Sequence, residues 1–236
     1  MPATTNATHT TRHAPRTWSS GHTCPLTTTS CLPTGYAELD LLLPGGGWPT
    51  GTLSEIYVER PGIGELQLLM PAAAALTQDK RKLAMIGPPS CMPYTPALAT
   101  RGVQIQHLLM LRTPLPDELA RTCEQLLVSG SCGMLLIWHD QLQERVLQHL
   151  QHAAERSSAI VVLYRTRRAQ PFSRVALRLH VSRNDGRTVV KVLKRHDGDT
   201  PPPVHLDLHG SLTRRPVTLP YVPPVTAAQP GLQHAH

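Results

Sequence analysis

Five short, mostly apolar runs recur along the chain, at Leu53–Val58, Leu83–Ile86, Leu108–Leu111, Met134–Trp138 and Ile160–Tyr164. Each is strand-length and bounded by turn residues. The stretches between them place apolar residues at helical spacing. Leu66, Leu69, Met70, Ala73 and Leu76 form one such face, and Leu119, Cys123, Leu126 and Leu127 a second. Leu142, Val146, Leu150 and Ala153 form a third. A short helix is also expected around Pro96–Thr100. Strands apolar on both sides, alternating with amphipathic helices, require a parallel sheet with helices on both faces. The expected class is α/β. Pro71 should kink the first of these helices unless that helix starts near Gln67.

The pattern changes after Tyr164. Val175, Leu177, Leu179 and Val181 alternate with Arg174, Ala176, Arg178 and His180, as in a half-exposed strand. Asn184-Asp185-Gly186 reads as a turn, and Thr188–Arg195 returns. An antiparallel hairpin should therefore close the sheet at its C-terminal end, with Val204–Leu208 as an added edge strand. Residues 1–31 are rich in Thr, Ser and His and read as a disordered polar arm. Residues 32–209 read as the folded domain, and 210–236 as a Pro-rich disordered tail. The 23 prolines of the 236 residues fit such long irregular ends.

Charge is unevenly distributed. Residues 165–195 hold ten Lys or Arg and one acid, Asp185, a balance of +9; the whole chain carries +7, so the remainder sits at −2. That segment is either a solvated strand face with edge-protecting charges or an anion-binding face. The five cysteines are odd in number and include no Cys-x-x-Cys pair, which argues against a disulfide framework or a zinc site. A reducing cytoplasm fits. No apolar run is long enough to span a bilayer, and no signal-peptide core opens the chain.

The first strand runs into a glycine-bearing loop that opens a helix, the layout of a phosphate-cradling loop. In the working form G-x-x-x-x-G-K-[ST], backbone N–H groups cradle phosphates, Lys neutralises charge and Ser/Thr binds magnesium. Here Glu59 stands at the first Gly, and Gly64 at the second, with Gly62 between them. Glu65 takes the Lys position and Leu66 the Ser/Thr position. Two like unit charges ~4 Å apart repel by about 4 kcal/mol at an effective dielectric of ~20. Triphosphate binding in the usual manner should be strongly disfavoured, and no cofactor is expected. Trp138 stands where a magnesium-ordering Asp would end the fourth strand, with Asp140 beyond it. Gly87-Pro88-Pro89 follows the second strand, where a catalytic Glu would be expected.

These residues resemble RecA. Thr34, Gly35, Leu39 and Asp40, the Gly45–Gly47 run, Pro49-x-Gly51 and Glu55-Ile56-Tyr57 look like a RecA-type core entrance. More closely, the chain resembles ImuA, the RecA-like family of bacteria associated with translesion synthesis. Leu32-Pro33-Thr34-Gly35, Leu43-Pro44-Gly45-Gly46-Gly47-Trp48-Pro49 and Pro61-Gly62-Ile63-Gly64-Glu65-Leu66 are similar to that family's segments. So are Pro93-Tyr94-x-Pro96-Ala97-Leu98, Ser131-Cys132-Gly133 and Val192-Leu193-Lys194-Arg195. The resemblance covers residues 32–209 and implies a RecA-like core. It further implies a non-catalytic role in the SOS response to DNA damage. The implied partners are an ImuB-like Y-family polymerase homologue, an error-prone replicative-type DNA polymerase reached indirectly, and RecA itself. SulA, the cell-division inhibitor that binds FtsZ, is a relative with the same body and gives the alternative function; a residual DNA-dependent ATPase is the second alternative.

The basic hairpin supplies the best binding candidates. Arg174, Arg178, Lys191, Lys194 and Arg195 would meet either the DNA backbone or an acidic partner face. Few aromatics interleave, so base stacking is weakly supported. His149 and His152, and His205, Asp207 and His209, lack a full metal-ligand set. Surface histidines are the plainer reading, and no metal is expected. Cys123 and Cys132 read as small core residues.

Overall fold

In the strand β6 (Cys132–Trp138), Met134 and Leu136 belong to one apolar core, and Leu135 and Ile137 to another. The same alternation divides Leu83 and Met85 from Ala84 and Ile86 in β4 (Lys82–Ile86). It also divides Ile160, Val162 and Tyr164 from Val161 and Leu163 in β7 (Ile160–Arg165). A period of two thus buries both faces of one sheet. The structure is a computed structural model that describes residues 30–88, 94–112, 116–166, 174–195 and 200–208. The expected polar arm up to residue 29, the expected tail at 210–236, and Pro89, Pro93 and His209 lie outside the described residues.

The remaining strands are β3 (Thr52–Val58), β5 (Leu108–Leu111), β8 (Leu177–Asn184), β9 (Arg187–Arg195) and β10 (Val204–Leu206). The eight-stranded sheet has the order β10-β9-β8-β3-β7-β6-β4-β5. From β8 to β5 every pairing is parallel; β9 and β10 are antiparallel additions. The expected hairpin is therefore present, and its first strand joins the parallel sheet directly beside β3. Its turn is formed by Asp185 (φ 47°) and Gly186 (φ 78°). Two consecutive residues in the left-handed region match the twist of the flanking strands, and Asp-Gly tolerates that conformation.

Among the described residues, five α-helices cover the two faces. The first face receives α1 (Ala37–Asp40), α2 (Met70–Gln78) and α3 (Thr95–Thr100), through Leu39, Leu76 and Leu98 among others. The second receives α4 (Pro116–Val128) and α5 (Glu144–Glu155), through Leu119, Cys123, Val146 and Leu150. This is an α/β fold built on a mostly parallel mixed sheet. Pro71 lies in the first turn of α2, where its missing N–H is harmless. A 3-10 turn, Gln67–Leu69, precedes it, so the chain takes the late start and avoids the kink.

One element has no counterpart in the sequence pattern. Two short strands, β1 (Cys31–Leu32) and β2 (Trp48–Pro49), pair antiparallel beside the main sheet. They clasp the segment containing α1 and bury Trp48 completely. Within that segment the Asp40 carboxylate accepts the Thr34 N–H at 2.7 Å, which fixes the spacing of Thr34 to Asp40. Tyr36 Oη donates to the Gln67 carbonyl at 3.0 Å and ties this lead-in to the loop after β3.

Candidate functional site

Because β3 is an interior strand, its C-terminal end delivers the loop 59–66 to the middle of the sheet. Ligands of open α/β sheets bind at this end of the strands. Gly62 (φ 85°) and Gly64 (φ 110°) turn the loop with left-handed backbone. Glu59 is exposed, and Leu66 is half-buried at the start of the 3-10 turn.

Glu65 is 5% exposed, and its side chain folds back into the loop. Oε1 accepts the Gly62 N–H at 2.9 Å, with Oε2 3.2 Å from the same nitrogen. Oε2 also accepts the Gly64 N–H at 3.1 Å. Backbone amides gathered in this way make an anion-binding concavity. In this chain an internal carboxylate already occupies it. Charge alone predicts repulsion of a phosphate at this position; the geometry adds that the donors themselves are engaged.

The loop is braced from the sheet. Tyr164 Oη donates to the Glu65 carbonyl at 3.2 Å. Burial, reinforced by the Glu65 charge, raises the Tyr164 proton affinity well above that of an ordinary phenol, so it stays a donor. Trp138 stacks on Tyr164 with centroids 4.9 Å apart and planes 18° from parallel. A cleft of about 400 Å3 opens beside the loop, lined by Leu66, Met70, Leu98, Trp138, Tyr94 and Arg101 among others. Trp138 thus presents an aromatic wall to this cleft.

Gly64 is the tightest point of the loop. A Cβ there would stand 2.8 Å from Thr188 Oγ1 and 3.0 Å from Leu208 Cδ1. With the left-handed φ added, Gly64→Ala should destabilise the protein by about 1–3 kcal/mol in urea denaturation. An unchanged midpoint would show that the loop is not clamped against β9.

Asp140 is tied down elsewhere. Its carboxylate accepts the Thr166 N–H at 2.7 Å and Thr166 Oγ1 at 2.6 and 2.8 Å. His139 beside it is held toward its neutral form, first by burial and then by Arg165, with Asp140 opposing. Among the described residues no group of three or more His, Cys, Asp or Glu is placed to hold a metal. His149 and His152 are exposed on α5. The Cys123 and Cys132 thiols are buried, which pushes them up to about 12 and about 11 and leaves them unreactive as nucleophiles.

No family model and no curated protein matches this chain.

The basic residues do not form one patch. Arg178 points at the fully buried Glu55 of β3, its Nε donating to Oε2 at 2.8 Å. Arg165, 1% exposed, approaches the other oxygen at 3.4 Å. Two guanidiniums therefore share one carboxylate inside the sheet. Lys194 faces Arg178 across β8–β9, and burial first, then the Arg178 charge, weakens its hold on a proton. Arg195 pairs in register with Leu177, whose side chain lies in the first core, and its Nη1 donates to the Leu42 carbonyl at 3.4 Å. It sits on the opposite face from Lys191 and braces the segment that follows α1. Arg174 and Lys191 are exposed. The paired carboxylate of Glu55 escapes a reading of the sequence; its only signal is an acid in the middle of a buried central strand.

Proposed function

We propose that the chain is a non-catalytic, RecA-like adaptor in SOS-induced, error-prone translesion DNA synthesis. It works with an ImuB-like Y-family polymerase homologue and, through it, an error-prone replicative-type polymerase. The observation that carries the non-catalytic reading is the Glu65 carboxylate seated on the Gly62 and Gly64 amides. Triphosphate oxygens would have to displace it and then face its charge. Leu66 supplies no magnesium ligand, and Asp140 is engaged with Thr166. The RecA-like reading draws support from the interior position of β3 and from the α/β sheet that an antiparallel hairpin closes. The translesion assignment rests on the motif resemblance at residues 32–209.

Two measurements test this. Purified protein should neither bind a fluorescent ATP analogue nor hydrolyse ATP, with or without single-stranded DNA. It should retain purified ImuB in a pull-down, and deletion should abolish damage-induced mutagenesis while cells divide normally. Hydrolysis inhibited by altering the loop would overturn the adaptor reading in favour of an ATPase. Filamentation on expression without DNA damage would favour inhibition of FtsZ.

A further inference from the structure

The two faces of the β8–β9 hairpin meet different surroundings. Leu177, Leu179, Val181, Val190 and Val192 belong to the first core. The second core, which holds α4 and α5, contains no residue of β8 or β9. By alternation, Arg178 and His180 of β8 and Arg187, Val189 and Lys191 of β9 turn to that second face. The register shifts between Arg178 and Leu179, which leaves Leu193 unpaired opposite them. Val192 is in the core, so this bulge turns both Leu193 and Lys194 outward. Leu193 is 41% exposed, and Arg187 and Lys191 are exposed.

The electrostatic balance of this face is strongly positive. The face carries Arg178, Arg187, Lys191 and Lys194, and the one acid of residues 174–195, Asp185, sits in the turn. The carboxylate beneath the face, Glu55, is already shared by Arg165 and Arg178. Arg165 Nε has no hydrogen-bond partner. Arg187 and Lys191 stand exposed on the same face, apart from that buried group.

We infer that the outer face of the β8–β9 hairpin docks the phosphate backbone of a nucleic acid without reading its sequence, with Arg187 and Lys191 as the exposed contacts. Along β9 these two residues lie about 13 Å apart at a strand rise of ~3.3 Å per residue. That distance spans about four phosphates of one DNA strand at ~3.4 Å each. The sheet face carries no Phe, Trp or Tyr among the described residues from 174 to 195, so it offers no stacking platform. An acidic protein segment is the competing occupant, and Leu193 is the residue that separates the two. A phosphate backbone gains nothing from Leu193, whereas a protein face would use it as an apolar anchor. The inference stands apart from the adaptor reading: ATP hydrolysis would defeat that reading and leave this one untouched.

The test uses the full chain and fluorescein-labelled 25-mers, single- and double-stranded and of two unrelated sequences, by anisotropy. Both sequences should bind equally well. Affinity should fall steeply between 50 and 200 mM salt, as counterion release requires. Arg187→Gln with Lys191→Gln should flatten the duplex salt dependence by about 1.8 in log–log slope, about 0.9 for each phosphate no longer neutralised. Arg187→Glu with Lys191→Glu should weaken binding more than tenfold, and Leu193→Ser should leave it unchanged. Circular dichroism melts of each variant report that the fold survives. No binding at 50 mM salt, or binding indifferent to the charge changes in folded variants, overturns the inference. So does equal affinity for a 25-residue polyglutamate peptide, which would mark the face as a surface for acidic protein.

Discussion

Glu55→Gln should lower stability by about 3–5 kcal/mol in chemical denaturation, a large fraction of the total for a domain of this size. Glu55 has no exposed surface, and the side chains of Arg165 and Arg178 around it are only 1% and 11% exposed. The Glu55 carboxylate lies against both of them within the sheet. A neutral amide leaves two buried cations facing one another across β3. The pairing does not make the triad a net source of stability, because all three ions were desolvated to form it. A second variant separates these statements. Replacing Glu55 and Arg178 together, as Glu55→Gln with Arg178→Met, should recover part of the loss, giving a coupling of the two sites well above ~0.5 kcal/mol. Simple additivity of the two changes would show that the Arg178 pairing has no energetic weight.

Glu65→Ala should destabilise the protein by about 2–3 kcal/mol, and the loss should be partly reversed by inorganic phosphate. Charged hydrogen bonds contribute about 1.5–3 kcal/mol each, and truncation leaves the Gly62 and Gly64 amides unpaired. With its internal carboxylate removed, the loop becomes an open concavity of N–H donors, and an added anion that binds there stabilises the fold by mass action. Millimolar phosphate should therefore raise the melting temperature of the Ala variant and leave that of the parent protein unchanged. Glu65→Gln, whose amide oxygen still accepts one bond, should lose less stability and respond less to phosphate. If phosphate stabilises parent and variant alike, the carboxylate does not fill the loop in solution.

The strands and the order of helices between them are legible in the sequence because continuous apolar runs and helical spacing persist over many residues. The hairpin is legible because Asp185-Gly186 is one of few dipeptides that supply two left-handed residues in a row. The β1–β2 pair is not, since two-residue strands carry no periodicity. At the loop, the sequence shows a carboxylate in place of an ammonium, and hence the sign of the local field. It does not show that Glu65 turns back onto amides one and three residues away, because that depends on a side-chain rotamer and on the left-handed turns at Gly62 and Gly64. The hairpin cations carry a similar ambiguity. Arg178 alternates like an exposed residue, and only strand order brings it against Glu55, 123 residues away. Arg195 is displaced to the other face by a bulge at Leu193, and one inserted residue is invisible to a period-two reading.

The sheet ends at β10, a strand of three residues entered through Pro201, Pro202 and Pro203. Its free side is where another chain would otherwise lay down a strand and propagate. Three successive residues without an amide hydrogen keep such a growing ladder from extending past Val204 on the N-terminal side. At this border the chain is thereby guarded against polymerising through its own β-structure.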